Sequence, residues 1–112
     1  MAAYVELYMD QGTTFRNVIT LTDDLTNETM NVLGYAVTSQ MRRSYYSANA
    51  TANITCTLTD APNGEITMSM TAANTALIKA GRYLFDLETV DTGGNVSRVL
   101  EGIITVTPEI TR

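Results

Sequence analysis

The chain has no histidine, no tryptophan, a single cysteine, a single lysine and two prolines. Each scarcity excludes something. Without histidine there are no Ser–His or Cys–His nucleophile pairs, and most transition-metal sites lose their commonest ligand. One cysteine, Cys56, cannot close an internal disulfide, which fits synthesis in a reducing cytoplasm. Lys79 is the only lysine, and Asp and Glu outnumber Lys and Arg by 12 to 7, for a net charge of −5. Nucleic-acid binding needs clustered cations to displace counterions from phosphates, so that class is set aside. No apolar run approaches the roughly 18 residues a membrane helix needs. The start, MAAYVELYMD, has no basic region ahead of an apolar stretch, so no signal peptide is expected. Paired carboxylates are the only catalytic chemistry left. No pocket-forming insertion accompanies them, so neither catalytic residues nor a cofactor are expected.

What is present points to strands. The 112 residues, 45% of them hydrophobic, suffice for one domain with one core, spanning 1–112. Threonine is abundant and sits in alternating runs, as suits a pleated, half-buried surface. Ala3 to Met9 sets Tyr4, Glu6 and Tyr8 against Val5, Leu7 and Met9, with bulk on both faces. Thr14 to Thr22 and Gly34 to Arg43 alternate with period two. Asp23 to Asn31 reads as a connection with a short edge strand, and Ser44 to Ala50 as an exposed loop. Thr51 to Thr59 points Ala52, Ile54, Cys56 and Leu58 inward. The turn Asp60-Ala-Pro-Asn-Gly64 then leads to Ile66, Met68 and Met70, forming a hairpin.

The stretch Glu65 to Glu88 organises the rest: strand, short helical corner, strand. Thr71 can cap the corner, and Leu77 and Ile78 are expected to tuck beneath the sandwich. Arg82 to Val90 and Val96 to Thr107 are strands. Pairing them with core faces together sets Tyr83 opposite Ile104, Phe85 opposite Gly102 and Leu87 opposite Leu100. On the other face Leu84 meets Ile103, and Asp86 meets Glu101, a like-charge pair costing roughly 0.2–1 kcal/mol. Arg42 from a neighbouring strand, or a cation from a partner subunit, is expected to offset that. The predicted fold is an all-β, immunoglobulin-like antiparallel sandwich of about seven to eight strands with one helical corner. A Gly-x-Tyr opening a strand after the corner matches the tyrosine-corner region of such sandwiches.

At this point a family resemblance enters. Leu21-Thr22-Asp23, Gly34-Tyr35, Arg42-Arg43-Ser44-Tyr45, Gly64 through Glu88 and Arg98 through Thr111 follow a pattern that covers most of the chain. That pattern resembles a group of small immunoglobulin-like phage virion structural proteins, similar to the N-terminal module of phage upper-baseplate proteins. The chain departs from it at Thr26 to Val32, where TNETMNV replaces the usual hairpin. The resemblance implies a non-catalytic virion component made in the cytoplasm of the infected bacterium. It would act by protein–protein assembly in a tail, baseplate, fibre-adaptor or capsid-decoration position. Its partners would be other virion proteins and copies of itself, with no nucleic acid or membrane among them. The related baseplate proteins carry more chain after the module, so a free-standing subunit is implied here.

Two candidate contact surfaces follow. Leu84, Asp86 and Glu88 beside Val99, Glu101 and Ile103 form an outward row with apolar members, which suits a subunit interface. The bland alternative is a loop or the two-faced first strand lying over them. Tyr45 and Tyr46 could contact a protein or, as an alternative function, a host-surface glycan. The bland alternative there is a loop tyrosine lying back on the sandwich. Asp23-Asp24, Asp60 and Asp91 with Asn95 match no known calcium-loop spacing and read as turn formers, so no metal is expected. The Asn-x-Ser/Thr matches at Asn27, Asn49, Asn53 and Asn95 are expected to be unused.

Overall fold

A computed structural model describes residues 3–22, 28–44, 47 and 51–110. Seven strands follow the expected alternation: β1 (Ala3–Asp10), β2 (Phe15–Thr20), β3 (Ala36–Arg42), β4 (Ala52–Asp60), β5 (Glu65–Met70), β6 (Gly81–Val90) and β7 (Val96–Thr107). The helical corner α1 spans Ala72–Thr75. The hydrogen-bonded order is β1-β7-β6-β3-β4-β5-β2. Five pairings are antiparallel, and β1 with β7 is parallel. The fold is therefore the expected all-β sandwich, with one parallel pair added.

β4 makes the sequence of strands into two layers. Its first residues pair with β3, from Ser39 opposite Ile54 to Met41 opposite Ala52. From Thr55 onward it pairs with β5 instead. A strand that changes partners in this way turns the corner between two packed sheets. The core lies between them. Met41, Tyr83, Phe85, Leu87, Leu100 and Ile104 come from the larger sheet, while Phe15, Ile66, Met68 and Met70 come from the smaller one. Ile54 sits at the crossing and Ile78 closes the end. Leu77 does not join it: Ile78 is 4% exposed, whereas Leu77 is 84% exposed. The single turn of helix is too short to bury two adjacent positions on one side.

The corner is held by polar bonds to distant backbone. Thr71 caps it by accepting the Asn74 N–H at 3.3 Å. The buried Thr75 hydroxyl donates to Thr13 O at 2.7 Å, and Gln11 Nε2 donates to Ile78 O at 2.8 Å. Tyr83 Oη donates to Lys79 O, four residues upstream, at 2.5 Å. This is a tyrosine corner in the expected place. The β4–β5 turn is equally tied down. A Cβ at Gly64, whose φ is +72°, would lie 2.6 Å from Met30 O. Leu21 N–H donates to Gly64 O, and Val32 N–H to Ala61 O, so the segment after β2 is pinned to this turn.

The β6–β7 register is the one the sequence predicts, with Phe85 opposite Gly102. Gly102 also faces Val5 of β1, and a Cβ there would sit 1.7 Å from the Val5 carbonyl oxygen. Only glycine lets β1 come this close. Cys56, half-buried on β4, keeps its thiol protonated: burial raises its pKa from 9.0 to about 11.

Three outcomes are expected. Gly102→Ala lowers stability by about 2 kcal/mol or more in urea titrations, through overpacking against β1, with faster amide exchange concentrated in β1. Tyr83→Phe costs about 1 kcal/mol, the net value of one hydrogen bond. Because the folded state holds the Cys56 proton more tightly, its contribution to stability is intact below pH 9.0 and is lost as pH rises towards about 11. Iodoacetamide should accordingly label Cys56 far more slowly in the native protein than in urea at pH 8.

A candidate assembly face

The outward side of the larger sheet is assembled from alternate residues of β1, β7, β6 and β3. The pairings place Tyr4, Glu101, Asp86 and Gln40 in one row across the strands. The next row is Glu6, Ile103, Leu84 and Arg42. Tyr8, Thr105 and Arg82 follow. The first strand does not lie over this face. It extends it, and Tyr4 and Tyr8 stand 61% and 69% exposed.

Of the row predicted as an interface, Leu84, Asp86, Glu101 and Ile103 stand together, all partly exposed. Glu88 is at the end of the row, opposite Arg98. Val99 departs from it. Leu87 pairs with Leu100 but Glu88 pairs with Arg98, so Val99 is the extra residue of a β-bulge. It packs half-buried against the core, and Arg98 takes its place on the face. The signal was present in the sequence. Continuing the inward parity from Ile104, Gly102 and Leu100 would have buried Arg98, which a core this apolar does not accept.

The bulge also settles the like-charge pair. Asp86 and Glu101 are opposite one another as expected, and the cation between them is Arg98. Its Nε lies 3.3 Å from Asp86 Oδ2 and its Nη1 3.4 Å from Glu101 Oε2. Arg42, expected in that role, is on the adjacent strand but donates instead to Ser47 O and Gln40 Oε1, each at 3.0 Å. Among the described residues Arg43 meets no carboxylate either: its guanidinium lies 5.1 Å over the Tyr83 ring. A shallow hollow of about 180 Å³ opens here, floored by Leu84 and Phe85 and rimmed by Gln40, Arg42, Asp86, Arg98 and Glu101.

The other predicted positions behave differently. Tyr45 and Tyr46 lie outside the described residues, as do Asp23 and Asp24. Asp60 accepts from Asn63 Nδ2 at 3.1 Å, within its turn. Asp91 accepts the backbone N–H and side-chain amide of Asn95, and the N–H of Gly93. Those bonds, Asn95's first, hold its carboxyl below the usual pKa. Both are turn formers, as expected. Among the described residues no cluster of His, Cys, Asp or Glu could hold a metal ion.

No protein-family model matches the chain, and no curated protein does. Solved structures do. A point mutant of the SrpA adhesin from Streptococcus sanguinis superposes with a TM-score of 0.55 at 11% identity, over 97% of this chain and 56% of the adhesin chain. CopC from Methylosinus trichosporium OB3b superposes with a TM-score of 0.42 at 12% identity, over 68% of this chain and 66% of that one. This chain thus spans a little over half of the adhesin chain it matches. At such identity the adhesin likeness is one of fold.

Arg98→Ala should leave Asp86 and Glu101 facing each other uncompensated. Arg98 is about half exposed, so a stability loss below about 1 kcal/mol is expected at low salt, shrinking at high salt. Thermal melts at two salt concentrations measure it.

Proposed function

We infer that this chain is a non-catalytic assembly module, and more specifically a bacteriophage virion structural protein. It would dock on other virion proteins in a tail, baseplate, fibre-adaptor or capsid-decoration position. The observation that carries the assembly reading is the outward face of the larger sheet. It presents Leu84 and Ile103 beside Tyr4 and Tyr8, and no described element lies across it. Aromatics, apolar side chains and arginines in one patch are the composition of a protein-binding surface. The virion assignment is supported by the motif resemblance from Leu21 to Thr111. Burial of this face against a neighbour, with hydrogen bonding at the free edges of β1 and β2 as a second means of attachment, is the mechanism.

A second reading draws on the fold shared with an adhesin. In it the module attaches the virion to a host-surface glycan through Tyr45 and Tyr46. Binding on a glycan array that is lost in the Tyr45→Ala, Tyr46→Ala double variant would favour it over assembly.

The virion reading is tested by mass spectrometry of purified particles of the phage encoding the chain. The expected result is many copies per particle, with incorporation reduced about tenfold or more by Leu84→Asp, which puts a charge into a desolvated contact. Circular dichroism of the purified variant verifies that it still folds. Absence of the wild-type chain from particles would overturn the assignment.

A further inference from the structure

The outward face has a charge order that fits itself. Across β1, β7, β6 and β3 the second row reads Glu6, Ile103, Leu84, Arg42: acid, apolar, apolar, base. Neither end has a charged partner within the described residues. Glu6 accepts only a long bond from Tyr4 Oη, at 3.5 Å, and Arg42 donates to neutral oxygens. The only described ion pairs are the two that Arg98 makes. The asymmetry extends along the strands. On the β6–β3 side Arg42 and Arg82 project outward, with Asp86 and Glu88 towards the other end of β6, where Arg98 of β7 bridges Asp86. Glu6 and Asp10 are on the β1 side with the two exposed tyrosines.

We propose that a second copy of this chain docks on this face about a two-fold axis that runs along the strands, between β6 and β7. The axis carries β1 of one copy over β3 of the other. Glu6 then faces Arg42 of the second copy, twice by symmetry, and Leu84 meets Ile103 across the axis. An isologous contact needs such a self-complementary surface. Packed sheets cross at about 30°, so the match is strictest next to the axis. Glu6 and Arg42 are within two strands of it, about 7 Å away at ordinary strand spacing. In the neighbouring row Asp86 comes over Glu101 of the second copy, and Arg98 stands beside both. The four strands of this face, about 4.8 Å apart and seven to twelve residues long, give it an area on the order of 600 Å². That is at the lower end of what specific interfaces bury per partner, as suits a dimer that forms at micromolar concentrations. This inference rests on the assembly reading of the same face and specifies its first occupant.

Charge reversal tests it. Size-exclusion chromatography with light scattering should give a dimer for the wild-type chain across micromolar concentrations. Glu6→Arg and Arg42→Glu singly should each weaken it about tenfold or more, because like charges then oppose each other. The double variant, carrying both reversals, should restore it. Thermal melts check that each variant folds. If Arg42→Glu does not fold, Arg42→Gln paired with Glu6→Gln replaces it, and both should weaken the dimer. A wild-type monomer at all concentrations, or a dimer indifferent to the single changes, overturns the proposal. A monomer still found in particles would leave the virion reading standing, whereas a dimer missing from particles would sink only that reading.

Discussion

β1 lies in the sheet because position 102 has no side chain. A parallel partner of β7 has to bring the Val5 carbonyl to where a Cβ would otherwise be. Much else depends on this. β1 becomes an edge strand of the larger sheet, so Met9 enters the core while Tyr4, Glu6 and Tyr8 extend the outward face. The turn after β1 is then within reach of the corner, where the Gln11 side chain donates to Ile78 O and Thr13 O accepts from the Thr75 hydroxyl. Phe85 covers the gap on the core side of the same glycine, an arrangement known to offset the loss of a strand side chain.

Much of this was legible because it is local. The hairpin turn, the cap at Thr71, the tyrosine corner and the β6–β7 register all follow from neighbours in sequence, with period two deciding which residues face the core. What escaped is non-local or breaks the period. Parallel pairing of β1 with β7 joins residues nearly the whole chain apart, and nothing in Ala3 to Met9 beyond its two bulky faces indicates it. The passage of β4 from one sheet to the other has no glycine or proline to mark it. Ser39 is buried on β3 among apolar residues, satisfied by its bond to Asp86 O, and composition gives no warning of such a bond. The bulge at Val99 was legible in principle, since parity forces a charge inward without it. Alternation gives the outward orientation of Leu84, Asp86, Glu88, Glu101 and Ile103, and the bulge accounts for the change at Val99.

The face itself illustrates how a single irregularity organises a surface. Straight alternation would have put two carboxylates side by side with an apolar valine at the end of the row. One extra residue turns the valine towards the core and brings a guanidinium between the acids. One backbone feature thus buries the valine and offsets part of the acidic charge. The half-exposed geometry keeps the gain small in stability terms. Its larger effect is on what the surface presents: two acids bridged by one guanidinium at one level, and at the next an acid and a base, separated and without a charged partner among the described residues.

The parallel pairing of β1 with β7 has a mechanical consequence. Ala3 lies beside Leu100 and Asp10 beside Thr107, so the start of β1 and the end of β7 are at opposite ends of the sandwich. Tension drawn between them runs along the strands. All the hydrogen bonds between the two strands would then be loaded together in shear, whereas an antiparallel hairpin pulled at its open end unzips bond by bond. A body anchored through those two strands resists extension by its geometry, without a disulfide to lock it.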